Sequence, residues 1–394
     1  MKRIAALVLV LAMTGCATEP SMSQAGFGWA GAWGASPTIP PPGSRSFENQ
    51  TVRQVVRLSQ GGDTFRIRFT NEYGEKALDF GGAAVAIAGP DGKPAGPQVA
   101  VTFSGHETTV IPPGAPLLSD PIRISAKALD SLAITLFLPT ATGPCTCHFA
   151  ATATTWISAP GNFIQAGFEA GQTTTTRAFI SAVEVEAASP RTIIAFGDSI
   201  TDGTASTNNA NRRWPDVLAD RLVAAGQTIA ISNQAIAGNR VLTQQMPIFG
   251  ENALARFDRD IASVPNAKWL VVLEGVNDIG AGGATPPSAD QIIAGYEQLT
   301  ARSHARGIKV YFATILPYEG ARYFLEVGEG VRQQVNAWIR TSGKPDGVID
   351  FDAAMKDPAS PRKMKAELQS GDWLHPNDAG YKVMGEAIDL ALFN

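Results

Sequence analysis

The stretch 192-TIIAFGDSITDG-203 decides the fold. An apolar run of strand length stops at Gly197, and Asp198, Ser199, Thr201, Asp202 and Gly203 follow at once. Such residues are ordinary occupants of a strand-to-helix turn, so composition alone asks nothing special of Ser199. The chain downstream repeats the pattern. The segments 228-TIAISN-233, 268-KWLVVLEG-275, 308-IKVYFATI-315 and 347-GVIDF-351 each have the length and apolarity of a buried strand. Helical spacing fills 214-WPDVLADRLVAAG-226, 288-SADQIIAGYEQLTARSHARG-307 and 328-GEGVRQQVNAWIRTSG-343, with Pro215 fitting a first turn and Gly226 a stop. This alternation predicts an α/β domain with a parallel sheet and helices on its faces. Ligands bind such sheets beyond the C-terminal ends of the strands. Ser199, the loop from Asn233 to Asn239, and Asn277-Asp278 are therefore predicted to share one rim.

Upstream the rhythm is different. The segments 51-TVRQVVRL-58 and 63-DTFRIRFTN-71 alternate polar and apolar residues, and 83-AAVAIAG-89, 98-QVAVTF-103, 131-SLAITLFLP-139 and 177-RAFISAVEVE-186 continue as strands. Turn-forming Gly, Pro and Asp separate them, and no long amphipathic helix intervenes. An all-β sandwich, jelly-roll-like, is predicted over 30–186, with 186-EAASPR-191 as the boundary and the α/β domain over 191–394. Two domains suit a chain of 394 residues, which exceeds the size at which one core usually stops growing. The formal net charge of -4 leaves no basic surplus for nucleic acid.

Residues 1–16 read as a targeting segment: MKR supplies the positive region, IAALVLVLAM the apolar one, and the latter is too short for a stable membrane span. Gly15-Cys16 resembles a bacterial lipoprotein signal, in which Cys16 becomes the lipidated first residue and attaches the protein to a membrane. Met13 and Thr14 depart from the usual pair there, so a periplasmic or secreted soluble form is the alternative. Both readings take the mature protein out of the cytoplasm. In that oxidising setting Cys145 and Cys147 are read as a local disulfide staple. A metal site with adjacent His148 is the weaker alternative, since the spacing does not match a usual zinc site.

A serine hydroxyl needs a base before it is a useful nucleophile. Of the four histidines, His106 and His148 belong to the β half and His304 to a predicted helix. His375, in 370-SGDWLHPNDAGY-381, is the best candidate base, and Asp372 precedes it by a spacing that lets one loop present both side chains. The chemistry also requires donors for a developing oxyanion. Ser199 N–H, Gly238 N–H in 233-NQAIAGNR-240 and the Asn277 side-chain amide are the candidates. A turn glycine and an Asx-turn asparagine are the plainer readings of the last two. Asp198 is assigned to anchoring the turn through backbone N–H groups, not to acting as a base.

These residues together resemble the SGNH, or GDSL-type, serine hydrolase family. GDSITDG (197–203) is similar to its first block with nucleophile Ser199, Gly238 to its second, Asn277 of GVND to its third, and DWLHP with Asp372 and His375 to its fifth. Isoleucine replaces the leucine of the family's name. The resemblance implies a three-layer α/β/α fold, no metal or other cofactor, and cleavage of esters, with acetylated carbohydrates, aryl or alkyl esters, thioesters and lipids among the substrates. The segments 29-WAGAWGASP-37 and 51–74 resemble the β-sandwich domain of a bacterial exported subgroup, a domain similar to carbohydrate-binding modules. A short-chain esterase that deacetylates carbohydrates is the leading expectation. A general aryl or alkyl esterase, or lipase-like enzyme, is the first alternative, and a cell-surface carbohydrate-binding protein with little catalysis the second. Trp214, Tyr318, Tyr323, Phe324 and Trp373 are candidates for shaping the pocket or filling a core, and 241–257 for a lid or wall.

Overall fold

The computed structural model describes residues 26–165 and 167–394. The targeting segment, with Cys16, lies outside the described residues. No helix among the described residues is long and apolar enough to cross a membrane.

The first half is antiparallel throughout. One sheet runs in the order Phe27–Gly34, Ile180–Ala188, Gly62–Thr70, Pro116–Leu118, and Ile122–Ala126 also pairs with Gly62–Thr70. The other runs Ala170–Thr174, Thr155–Pro160, Gln50–Arg57, Ser131–Leu138, Ala83–Ile87, Val99–Ala100. Phe65, Ile67, Phe69 and Val183 of the first sheet and Val52, Val56, Leu132 and Ile134 of the second enter one apolar core. Period-two burial thus makes the sandwich. The strand expected over 98–103 is cut to Val99–Ala100. Ser104 and Gly105 turn the chain with positive φ, and the Asp120 carboxylate accepts from both of their N–H groups.

The second half holds a five-stranded parallel sheet: β1 (Thr192–Gly197), β2 (Ala230–Asn233), β3 (Ala267–Leu273), β4 (Lys309–Ala313) and β5 (Gly347–Ile349), in the order β2-β1-β3-β4-β5. Every residue of β1 is buried, as a central strand covered on both faces requires. The chain steps one way from β1 to β2 and the other way from β3 to β5. Right-handed crossovers therefore put the intervening helices on opposite faces. Seven helices serve this domain: α1 (Ser199–Asp202), α2 (Trp214–Ala224), α3 (Val276–Ala281), α4 (Ala289–His304), α5 (Glu326–Thr341), α6 (Phe351–Met355) and α7 (Asp378–Ala387). The result is the expected three-layer α/β/α domain. The reversal between β1 and β3 opens a crevice beyond their C-terminal ends, the general location of ligands in open α/β sheets.

The β half is fastened to the edge of this sheet. Strand Phe27–Gly34 runs against β2 where glycines allow close approach: a Cβ on Gly34 would lie 2.3 Å from Ser232 Oγ. Ser59 Oγ accepts from Ile231 N at 2.7 Å and has Ala32 O at 2.7 Å as the nearer acceptor for its proton, so one hydroxyl bridges β2 and strand Phe27–Gly34. Gly31 N donates to Thr192 Oγ1 (3.0 Å) and Ser36 Oγ to Gln234 Oε1 (2.8 Å), both buried. An uncovered strand edge is a template for aggregation. Deletion of residues 30–186 is therefore expected to yield insoluble or inactive protein instead of a trimmed active enzyme. Soluble yield and p-nitrophenyl acetate turnover of the isolated 187–394 fragment check this, and full activity in the fragment would contradict it.

Candidate active site

Ser199 stands at the first position of α1, directly beyond β1. Asp198 caps that helix, its Oδ1 accepting from Ile200 N at 2.9 Å, and Gly203 closes it in the left-handed conformation. Ser199 is thus held on a sharp strand-to-helix turn. A side chain on Gly197 would meet Leu273 O and Thr201 Oγ1, each at 2.4 Å, so only glycine lets β1 enter that turn.

His375 arrives from the loop before α7. Its Nε2 lies 2.8 Å from Ser199 Oγ, and its Nδ1 lies 2.6 Å from Asp372 Oδ2. Asp372 Oδ1 also accepts from the backbone N–H groups of Leu374 and His375, both at 2.9 Å. Partial burial opposes ionisation of Asp372. The hydrogen bonds from the His375 backbone and ring and from Leu374 outweigh it, bringing the carboxyl down to about 2. Asp372 is therefore a carboxylate at neutral pH, and its contact fixes the imidazole with Nδ1 protonated and Nε2 facing the hydroxyl. The tight loop puts Trp373 at φ 61°, a left-handed conformation that a tryptophan rarely adopts.

The donor side is built from the loops after β2 and β3. Gly238 has φ 80°, and a Cβ there would lie 2.3 Å from the Phe249 ring. Asn277, the second residue of α3, gives one amide hydrogen to Asn239 O at 3.0 Å, while its Oδ1 accepts from Tyr323 O–H at 3.3 Å. These two bonds fix the amide orientation and leave its second hydrogen uncommitted to them. The loops are knit to the nucleophile turn: Ile236 N donates to Gly197 O, Ala237 N to Asp202 Oδ2, and Val241 N and Leu242 N to the two oxygens of Asp278. The sequence candidates Ser199, Asp372, His375, Gly238 and Asn277 thus meet at one rim. His106 and His304 stay out of it: His106 is exposed, and His304 pairs with Asp346 on the surface. Trp214 and Tyr318 are buried among core side chains, Trp214 against Phe351 and Tyr318 against Tyr323 and Phe324. The segment 241–257 is pinned as a wall, since Asn239 Nδ2 holds Phe249 O and Glu251 O, both at 2.7 Å.

Three elements of this architecture escape sequence reasoning. Arg256, fully buried, donates to Gly197 O, Gln234 O, Asn239 Oδ1, Asp260 and Glu274. His148, from the β half, places Nε2 3.0 Å from Asp202 Oδ1 and Nδ1 2.9 Å from Ser36 O. Burial opposes protonation of His148, but the Asp202 carboxylate and the Ser36 carbonyl outweigh it and raise its pKa. Cys145 and Cys147 are joined by a disulfide, so neither thiol is available to a metal beside His148. The third element is a group of buried carboxyls, Asp198, Asp278 and Glu274. Burial pushes Asp198 up to about 7, aided by Asp278 and Asp202, and pushes Asp278 up to about 6 against the N–H groups of Val241 and Leu242. Glu274 is raised well above the ordinary range by burial and by Asp198, against Arg256. Asp198 Oδ2 and Glu274 Oε2 have no hydrogen-bond partner among the described residues, so protonation of either breaks no existing bond.

Residues 195–383 match the family model described as the GDSL-like Lipase/Acylhydrolase family. The C-terminal domain is a GDSL-like serine hydrolase domain, preceded here by an antiparallel β domain, and the protein is a hydrolase of carboxylic esters. The aryl esterase of M. smegmatis is similar in structure at 16% identity, covering 50% of this chain and 95% of its own, with a TM-score of 0.41. A GDSL-like lipase from Bacteroides thetaiotaomicron VPI-5482 is similar at 20% identity, covering 51% and 87%, with a TM-score of 0.39. The carbohydrate acetylesterase Est24 from Sinorhizobium meliloti is similar at 15% identity, covering 50% and 95%, with a TM-score of 0.38. No curated protein matches the chain.

The carboxyl group predicts a pH dependence of stability. A folded-state pKa above the unfolded one means that Asp198 contributes stability in full below about pH 4 and loses it as pH rises through about 7. Asp198→Asn keeps the Oδ1 acceptor for Ile200 N and removes the titration. Its Tm is expected to fall less than that of the wild type between pH 5 and pH 8. Equal slopes in thermal denaturation would count against a protonated Asp198.

Proposed function

We propose that the protein hydrolyses short-chain carboxylic esters through a Ser199–His375–Asp372 triad, with acetylated carbohydrates as the substrate class. The observation that carries this reading is the unbroken chain of contacts, 2.8 Å from Ser199 Oγ to His375 Nε2 and 2.6 Å from His375 Nδ1 to Asp372. His375 Nε2 takes the hydroxyl proton as Ser199 Oγ bonds to the ester carbonyl carbon. The carbonyl oxygen receives the displaced electron pair and is held by Ser199 N–H, Gly238 N–H and the Asn277 amide. Collapse breaks the bond to the alkoxy oxygen, which leaves as an alcohol with the proton from His375. Water attacks the acyl-enzyme by the same route, releasing the carboxylic acid and restoring Ser199 O–H. Asp372 remains ionised throughout and stabilises the imidazolium.

The walls around the donors support a short acyl group. Phe249 stands over Gly238, and a Cβ on Gly280 would meet the Tyr323 ring at 2.2 Å, so bulky rings close in on both donor loops. The targeting segment supports action outside the cytoplasm, with Cys16 as the point of lipid attachment. Cys16→Ser is expected to move the protein from the membrane to the soluble fraction, as immunoblots of the two fractions would report.

Hydrolysis of p-nitrophenyl esters from acetyl to long acyl tests the catalytic reading. Wild type is expected to prefer acetyl, and Ser199→Ala to lose the activity. Asn277→Ala should retain the fold and lose roughly 10²–10³ in kcat, the usual cost of one oxyanion donor. A preference for long chains would reject the short-acyl reading and keep the triad; turnover surviving in Ser199→Ala would reject the triad.

A further inference from the structure

A cavity of about 60 Å³ lies on the seam between the two halves of the protein, away from the Ser199 hydroxyl and lined by Arg57, Arg177, Arg213, His148 and Trp33 among others. It is large enough for a few water-sized groups, since one water needs roughly 10–15 Å³ by this measure. Two of its three guanidinium groups are already engaged. Arg57 pairs with Asp220 at 2.5 Å. Arg213 pairs with Asp216 at 3.1 Å and donates to Asp202 O, Ala151 O and Thr152 Oγ1. Arg177 is different. It is 4% exposed, its Nη1 has no hydrogen-bond partner, and it forms no ion pair among the described residues. Its guanidinium lies over the face of Trp33, 5.6 Å from the ring centroid.

A buried, unpaired guanidinium is expensive, because the lost hydration is not replaced. Burial, with Arg213 nearby, draws Arg177 down to about 9, which still leaves it charged at neutral pH. The carboxylates that line the cavity do not relieve it. Asp216 Oδ2 is occupied by Arg213, and Asp202 is divided between His148 and Ala237 N. No counter-charge for Arg177 comes from the described residues.

We infer that the seam cavity is a binding site for a small oxyanion, a carboxylate or an inorganic phosphate, received by the free fork of Arg177 beside Arg213. A planar guanidinium suits an oxyanion better than a halide, because its parallel N–H groups match two oxygens. The site is placed to influence the reaction centre. Arg177 is the register partner of His148, His148 holds Asp202, and Asp202 holds Ala237 N, next to Gly238.

Thermal denaturation of the full-length protein in sodium acetate, sodium phosphate and sodium chloride at matched ionic strength tests the site, and does not depend on the esterase reading. Wild type is expected to gain about 2 °C or more in Tm, saturably, with at least one of the two oxyanions and not with chloride. The responding salt distinguishes carboxylate from phosphate. Arg177→Met should abolish the gain, and Arg177→Lys, which keeps the charge and loses the fork, should weaken the apparent affinity several-fold. Should Arg177→Met fail to fold, Arg177→Lys alone decides. No saturable gain in wild type, an equal gain with chloride, or an unchanged response in the variants would overturn the inference. The last outcome would place acetate at Ser199 or elsewhere.

Discussion

The arginine at position 256 holds the catalytic half together at the point where the chemistry is assembled. Its guanidinium is completely buried, lies over the Phe196 ring at 3.7 Å, and reaches Gly197 O at the end of β1 and Gln234 O just past β2. It also reaches Glu274 just past β3 and Asn239 in the loop that carries Gly238. Parallel strands end in carbonyl groups with no further ladder partner, and two of them, Gly197 O and Gln234 O, converge here with the Glu274 side chain just past β3. A single fork with five donors satisfies them at once. Removing it would leave Gln234 O and Asn239 Oδ1 without the donors it supplies and Asp260 with Arg259 alone, at about 1–3 kcal/mol for each buried acceptor left unsatisfied. The position of Ser199 relative to Gly238 and Asn277 depends on that fork as much as on any direct contact among them.

Around this hub the acids divide their labour by environment. Asp372 sits in a surface loop with its donors supplied by the loop itself, and is ionised. Asp198 and Glu274 lie behind the nucleophile with little solvation, and favour the protonated form. Asp198 adjoins Ser199 in the chain, and Asp372 reaches it through His375. Only the exposed one faces the imidazole, so the charge that supports His375 is the one that water can also stabilise. Partial exposure of Asp372 is thus compatible with its role, because short hydrogen bonds, and not exclusion of water, keep it aligned.

The local grammar of the chain made most of this legible. The apolar run from Thr192 to Gly197 is β1, the helix read from Trp214 is α2, and the helices read from Ser288 and Gly328 are α4 and α5. Fixed-spacing motifs made the candidate triad and donors legible as well, because each motif lies on a short turn whose geometry is set by its own residues. Contacts between distant segments were not legible. Nothing near Arg256 in the sequence signals that it will meet Gly197, and nothing near His148 signals Asp202. The cysteine pair drew attention to disulfide or metal chemistry, while its neighbour His148 is engaged across the seam. Trp373 carries no local signal of its left-handed conformation either; the two acceptors that hold it, Gln369 Oε1 for its own N–H and Asp372 Oδ1 for the next, are side chains of the loop.

The seam explains why a β-sandwich should accompany a hydrolase sheet at all. β2 is an edge strand, and its outward N–H and C=O groups would otherwise face water or another chain. Ser59 Oγ accepts from Ile231 N and donates to Ala32 O, while the glycines of strand Phe27–Gly34 let backbone approach backbone without intervening side chains. Those contacts run parallel to the strand and fix the sandwich along its length. The His148–Asp202 contact then fixes it across the top, at the short helix that carries Ser199. A domain tethered only for substrate capture would need neither constraint. Here the second is buried, and its acceptor Asp202 lies on the same short helix as Ser199. The sandwich is therefore part of the framework that orients the donor loop, whatever else its own surface binds.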